Sequence, residues 1–201
     1  MTVVDTDRIE MAENGDRNAL DVMFKALGRD HFLEGYRVEI VGGAVFMTPQ
    51  RSTHWQIIRR IVRALEDRFG MEVMVLSDVR IDFPGGQNGF CPDVAKLRDE
   101  ANWSHERGWL YEDVEFVAEV ISKGTAENDY YAKKYAYAAA GIPAYLIVDP
   151  YEGQCHLYTQ PKESDNGIDY ASELPFSFGY EVDLTCTPAD LILKTDDFPR
   201  D

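Results

Sequence analysis

Positive charge is scarce in this chain of 201 residues, which has 20 Lys and Arg against 36 Asp and Glu and a formal net charge of −16. A protein that coats nucleic acid needs a broadly basic surface, so this composition excludes a general polyanion-coating protein. Any contact with nucleic acid therefore requires a local basic patch, or metal ions that neutralise the carboxylates.

Cysteine is also scarce, and the three present, Cys91, Cys155 and Cys186, are far apart in sequence. An odd number without a Cys-x-x-Cys pair excludes a zinc cluster and a disulfide framework. We therefore expect reduced thiols and a cytoplasmic location.

Long apolar runs are missing, and none approaches the roughly twenty residues of a membrane span, so we expect no membrane partner. Residues 1–16 carry five acidic side chains and no apolar segment of the kind that signal peptides contain. We interpret 1–16 as a flexible acidic leader and 17–201 as a single domain. Its hydrophobic content, 45% of the chain, is enough for one core.

The first half of the chain contains two clear local patterns. Gly42-Gly43 between two apolar runs indicates a β-hairpin. Apolar residues at helical intervals predict a helix over 52–69, with Thr53 and Gln56 at capping-box spacing. Apolar and alternating segments then predict strands between 73 and 121.

The second half continues with a predicted helix over 128–140 and a buried strand over 145–148. Several short strands are expected from Gln154 onward. This order of elements predicts an α/β (α+β) fold, in which helices flank a mixed β-sheet.

Two of the predicted buried strands carry a carboxylate where an apolar side chain would pack better. Asp93 opens one strand, and Glu119 lies inside Phe116-Val-Ala-Glu-Val-Ile121. Burying a charge is costly unless it is paired or coordinated, and two adjacent carboxylates suit a hard divalent cation. Alternatively, Glu119 faces solvent or forms a structural pair with a lysine.

The helix that follows has a polar face, because Asp129, Lys133, Tyr137 and Gly141 recur at intervals of four. A lysine beside metal-bound carboxylates can bind a phosphate, orient water or stabilise developing negative charge. A separate basic group on the 52–69 helix, Arg59, Arg60 and Arg63, is either a solvated face or a phosphate contact.

Together these segments resemble the large bacterial family of putative restriction endonucleases of the Uma-two type, within the PD-(D/E)XK nuclease superfamily. The residues that carry the resemblance are Cys91-Pro-Asp93, Val117-Ala-Glu-Val-Ile-Ser122, Asp129, Lys133, Tyr137, Gly141-Ile-Pro-Ala-Tyr-Leu-Ile-Val-Asp-Pro150, and Glu39-Ile-Val-Gly-Gly43 before His54. It covers roughly Tyr36 to Tyr158. It implies the restriction-endonuclease-like core fold.

The resemblance also implies roles for individual residues. Asp93 and Glu119 would bind a metal ion, Mg²⁺ with Mn²⁺ as a substitute, and Val120 would add its backbone carbonyl. The superfamily's usual lysine two residues after the acid is absent, because Ile121 stands there. Lys133 on the next helix takes its place as the third catalytic residue.

Four further residues match family positions whose roles are less defined: Glu39, His54, Asp129 and Tyr137. His54, at a helix N-terminus, is also compatible with a structural or capping role.

The implied activity is Mg²⁺-dependent hydrolysis of phosphodiester bonds in DNA by an endonuclease, and a homodimer would suit symmetric cutting of two strands. Two alternatives stay open. One is a catalytically weak or inactive nuclease-fold module for binding or assembly, and the other is a metal-dependent hydrolase of another phosphate ester.

Overall fold

The computed structural model describes residues 16–27, 36–49, 51–85, 87–105, 108–164 and 167–201. Residues 1–15 of the predicted acidic leader lie outside the described residues. Its last residue, Asp16, is already the first residue of a helix.

The described part of the chain combines three α-helices with thirteen strands. In chain order the elements are α1 (Asp16–Leu27), β1 (Tyr36–Val41), β2 (Ala44–Pro49), α2 (Ser52–Phe69), β3 (Val75–Leu76), β4 (Ile81–Phe83), β5 (Asn88–Phe90), β6 (Val94–Leu97), β7 (Trp109–Leu110), a 3₁₀ turn (Tyr111–Asp113), β8 (Val114–Val120), a π-helical segment (Asn128–Lys133), α3 (Lys134–Ala139), β9 (Ala144–Asp149), β10 (Gln154–Ser164), β11 (Gly167–Ser177), β12 (Val182–Asp183) and β13 (Ile192–Leu193).

The strands form two main sheets. The smaller has the order β2-β1-β5-β4-β7, the larger β11-β10-β9-β8-β6-β3, and β12 pairs with β13 separately. In the larger sheet β6 and β8 are antiparallel, whereas β8 and β9 are parallel. The predicted mixed sheet flanked by helices is therefore confirmed.

The hairpin predicted at Gly42-Gly43 is present as β1 and β2. Both glycines have positive φ, 56° and 80°. A two-residue hairpin turn of this kind needs positive φ at both central positions, which glycine adopts without steric cost.

The strands β8 and β9, in the middle of the larger sheet, are buried on both faces, which explains their near-continuous apolar runs. On one face, α2 contributes Ile57, Ile58, Ile61 and Leu65 to a core shared with the sheet and the C-terminal segment. On the other, Tyr137 of α3 packs with residues of the smaller sheet. A third cluster joins α1 to the β1–β2 hairpin.

Two local expectations were wrong. The N-cap of α2 is Arg51, without a side-chain capping bond, so Thr53 does not cap the helix. The segment from Gln154 to Ser177 is one long hairpin of two 11-residue strands, β10 and β11, and short strands follow only at β12 and β13. The helix expected over 128–140 is present, although residues 128–133 form a π-helical segment before α3.

Among the described residues, no helix is both long and apolar enough to cross a membrane.

The packing of α2 on the sheet gives a stability prediction. Ile61 is 2% exposed in the core, whereas Ile192 is 50% exposed. We expect Ile61→Ala to lower the free energy of unfolding by about 2–5 kcal/mol, because it leaves a cavity. Ile192→Ala, the matched control, should cost well under half of that. Urea unfolding followed by tryptophan fluorescence measures both, and equal losses would contradict this packing.

Candidate active site

The register of the larger sheet brings the two predicted carboxylates together. Val94 pairs with Ala118 in the antiparallel β6–β8 ladder, so Asp93 stands opposite Glu119 one step further along. Both side chains project to the face that α3 covers, as do Ala95 and Val117. The backbone N–H of Asp93 donates to Glu119 Oε2 at 3.3 Å, and both residues are fully buried.

Asp93 is surrounded by donors. Arg37 Nη1 and His54 Nε2 contact its two carboxylate oxygens, the histidine at 3.1 Å, and the N–H of Val120 donates to Oδ2 at 2.7 Å. Burial opposes ionisation, but the positive charge of Arg37 and the bond from His54 outweigh it, so the pKa of Asp93 falls below its usual value. Asp93 is therefore an ionised carboxylate at neutral pH.

Glu119 has the opposite balance. Its Oε1 accepts hydrogen bonds from Lys133 Nζ at 2.9 Å and from the Tyr137 hydroxyl at 2.6 Å. Burial raises its pKa well above the usual range; the charge of Lys133 opposes this rise, and the nearby charges of Asp93 and Asp129 add to it. The two adjacent carboxyl groups thus differ strongly in proton affinity.

Lys133 is the cation at the centre of the acidic residues. Its Nζ lies 2.9 Å from Glu39 Oε1 and from Glu119 Oε1, and 3.2 Å from Asp129 Oδ1. Desolvation opposes its charge, but the three carboxylates raise its pKa well above the usual value. Lys133 is therefore a fixed positive charge here rather than a proton acceptor.

The π-helical segment places Lys133 and Asp129 on the buried side of the helix. Residues 128–133 make the wider turn, and Asp129, Lys133 and Tyr137 are each at most 3% exposed. Single π-helical turns occur often at functional sites. Burial raises the pKa of Asp129 to about 6; Lys133 opposes this rise and Glu39 contributes to it.

His54 joins α2 to the carboxylates. Its Nε2 lies 3.1 Å from Asp93 Oδ2 and 2.8 Å from the Val120 carbonyl oxygen. Desolvation lowers the pKa of His54, but the hydrogen bond and the charge of Asp93 more than compensate, so its pKa is raised. His54 thus contacts the site instead of capping the helix.

Arg37 is the residue of this site that sequence reasoning missed. Its guanidinium contacts Asp93 and lies 3.7 Å from Glu39 and 4.0 Å from Glu119. The sequence did place Arg37 on the same face of β1 as Glu39, because residues two apart on a strand project to the same side. Nothing in the sequence indicated that this face of β1 meets the end of β6.

All eight residues singled out from the sequence lie in this one cluster. Lys134, the neighbour of Lys133, points elsewhere and contacts Asp169 of β11 at 3.0 Å. Adjacent helical residues point about 100° apart at 3.6 residues per turn, so the two lysines face different parts of the structure.

The donors suit a divalent cation. Four acidic side chains, Glu39, Asp93, Glu119 and Asp129, are buried in this cluster with two permanent cations, Arg37 and Lys133, so carboxyl groups outnumber cations. Asp93 Oδ2 and the Val120 carbonyl oxygen lie close together, because both contact the same atom, His54 Nε2. Hard divalent cations prefer oxygen ligands of this kind. In the described part of the chain, no group of three His, Cys, Asp or Glu side chains is arranged as a metal site. The oxygens of Asp93 and Glu119 contact Arg37, His54 and Lys133.

The mixed sheet with its flanking helices is a fold of the restriction-endonuclease-like kind. The model of the Uma2 family, described as "Putative restriction endonuclease", matches residues 24–194. The chain belongs to that family.

A solved structure agrees with the fold. It is described as a putative nuclease belonging to DUF820 from Anabaena variabilis ATCC 29413, with a TM-score of 0.62 and 12% sequence identity. The match covers 80% of this chain and 88% of that chain. No curated protein matches the sequence.

The role of Arg37 gives the second prediction. Its side chain is 6% exposed among carboxylates. Arg37→Met should destabilise the protein by about 3–5 kcal/mol, because it leaves buried negative charge uncompensated.

Arg98→Met is the matched control, since Arg98 forms a half-exposed pair with Asp113 at 3.2 Å. It should cost about 0–1 kcal/mol. Urea unfolding at pH 7 compares the two variants. Similar losses would show that the Arg37 contacts are not what compensates the cluster.

Proposed function

We propose that this protein is a Mg²⁺-dependent endonuclease that hydrolyses phosphodiester bonds of DNA. The observation that carries the proposal is the convergence of Asp93, Glu119 and Lys133 within one buried cluster, with Lys133 Nζ 2.9 Å from Glu119 Oε1. Membership of the Uma2 family supports the same activity.

The residues that would bind the cation are Asp93, Glu119 and the Val120 carbonyl. When bound, Mg²⁺ or Mn²⁺ would lower the pKa of water and offset negative charge on a phosphate. The chain supplies the remaining functions. Asp93 is ionised because its pKa is lowered, which keeps it available as an oxygen ligand at neutral pH.

Lys133 would stabilise negative charge that develops on the phosphate, because its raised pKa keeps it protonated. Tyr137 would orient Glu119. Burial raises the pKa of the Tyr137 hydroxyl well above its usual value, and the charge of Glu119 raises it further. Tyr137 therefore stays a neutral hydrogen-bond donor to Glu119. Glu39 and Asp129 would position Lys133 from two other sides.

A second candidate function is a weakly active or inactive nuclease-fold module for binding or assembly. It is favoured by the net charge of −16 and by the engagement of Asp93 and Glu119 with internal donors. The two candidates differ in whether the protein cleaves DNA.

We further propose a cytoplasmic homodimer. Free cysteines, two of them buried, are compatible with a reducing compartment. Two-fold symmetry would match the symmetry of a duplex that is cut on both strands.

The identity of the acting lysine gives a test of catalysis. Lys133→Met should reduce cleavage of plasmid DNA in Mg²⁺ by roughly 10²–10³-fold, as loss of a charge-stabilising donor does. Lys134→Met is the control, since Lys134 pairs with Asp169 away from the carboxylates, and should cleave at nearly the wild-type rate.

Circular dichroism and thermal unfolding establish that each variant is folded. If only Lys134→Met loses cleavage, or if neither variant does, the assignment of Lys133 as the catalytic lysine is contradicted. A wild-type protein that never cleaves single- or double-stranded DNA in Mg²⁺ or Mn²⁺ would leave the binding module as the function.

Metal binding has its own test. In calorimetric titration with Mn²⁺, Glu119→Gln should bind at least roughly 10- to 100-fold more weakly than wild type, the loss typical of disturbing a metal ligand. Glu115→Gln, on the same strand, is the control, because Glu115 pairs with Lys96 outside the cluster. Equal affinities for wild type and Glu119→Gln would remove Glu119 from the metal site.

A further inference from the structure

Helix α2 is basic in a protein that is otherwise strongly acidic. No Asp or Glu occurs between Glu39 and Glu66. Four arginines lie in that interval: Arg51, Arg59, Arg60 and Arg63. A protein with a charge of −16 repels phosphates over most of its surface, so a local excess of arginine over acidic side chains is where a polyanion can approach.

The outer side of this helix carries a line of exposed residues. Trp55, Arg59 and Arg63 recur at intervals of four along it, and the exposed N-cap residue, Arg51, precedes Trp55 by four positions. We call these residues the α2 strip. The opposite face of α2 is buried in the core, so the strip is the part of the helix that a partner can reach.

The arginines of the strip are weakly engaged. Arg51 donates to the Tyr151 hydroxyl at 3.2 Å and Arg59 to Gln56 Oε1 at 2.8 Å, both neutral groups. Arg63 pairs with Asp67 at 3.0 Å, but these side chains are 74% and 68% exposed. Such an exposed pair is worth little and is readily exchanged for a phosphate.

The strip begins beside the candidate active site. His54, between Arg51 and Trp55, contacts both Asp93 and the Val120 carbonyl. Tyr151, the partner of Arg51, follows β9, whose Val148 pairs with Val120. From Arg51 to Arg63 the chain rises by about 18 Å along the helix axis, at 1.5 Å per residue.

We propose that the α2 strip binds the sugar–phosphate backbone of a nucleic acid and leads it to the Asp93–Glu119 cluster, an inference that rests on the proposed function. Arginine guanidinium groups match phosphate oxygens in a bidentate geometry. The exposed ring of Trp55, 53% accessible, can stack on an unpaired base.

The experiment measures binding of fluorescein-labelled DNA, single-stranded and duplex, by anisotropy in EDTA at several salt concentrations. The test variant is Arg59→Ala/Arg63→Ala. Its control is Lys25→Ala/Lys162→Ala, which removes the same charge from two exposed positions on α1 and β10.

Each phosphate contact contributes about 0.9 to the slope of log K against log salt for duplex DNA. The strip variant should therefore reduce the magnitude of that slope by roughly 2. The control variant and Arg59→Lys/Arg63→Lys should have the same slope as the wild-type protein. Trp55→Ala should weaken single-strand binding more than duplex binding.

The outcomes separate this inference from the proposed function. If the strip and control variants change binding equally, or if the wild-type protein does not bind DNA, the proposal that the α2 strip binds nucleic acid is overturned. If binding depends on the strip but the protein does not cleave DNA in Mg²⁺, the binding role of the strip is supported and the nuclease proposal fails. If the wild-type protein cleaves DNA and the strip variant binds it unchanged, only the proposal for the strip is overturned.

Discussion

The burial of Asp93 beside Glu119 is the constraint on which the rest of the site depends. Two adjacent carboxylates without solvent would repel each other and lose their hydration, at a cost of several kcal/mol for each ion. The structure compensates with Arg37 from β1, His54 from α2 and Lys133 from the helix after β8. Three separate elements are thereby tied to the end of one sheet.

The compensation is unequal, and this inequality has chemical consequences. Arg37 and His54 lower the pKa of Asp93, while burial and neighbouring carboxylates raise that of Glu119. Neighbouring acids whose environments push their pKa values apart are a common arrangement in enzyme active sites. The excess of carboxylates over permanent cations also leaves the cluster with affinity for one more positive charge, either a proton or a metal ion.

Much of the fold and most of the candidate site could be predicted from local pattern and family resemblance. The hairpin at Gly42-Gly43, the α2 helix and the buried strands followed from turn chemistry and hydrophobic periodicity, and the family's motifs indicated Asp93, Glu119 and Lys133. Arg37 could not be recognised, because its importance comes from contacts more than fifty residues away in sequence. The π-helical segment was also missed, since an α-helical pattern accommodates the same spacing of four.

The sequence by itself determined which residue types are present, which face of each strand or helix they share, and that positive charge is confined to a few places. These properties depend on neighbours within a few residues. Only the tertiary structure decided that the buried carboxylates would meet Arg37 and His54, and that the basic helix α2 would begin beside that cluster. Such juxtapositions depend on strand register and on the packing of α2 against the sheet, which are set by the whole core.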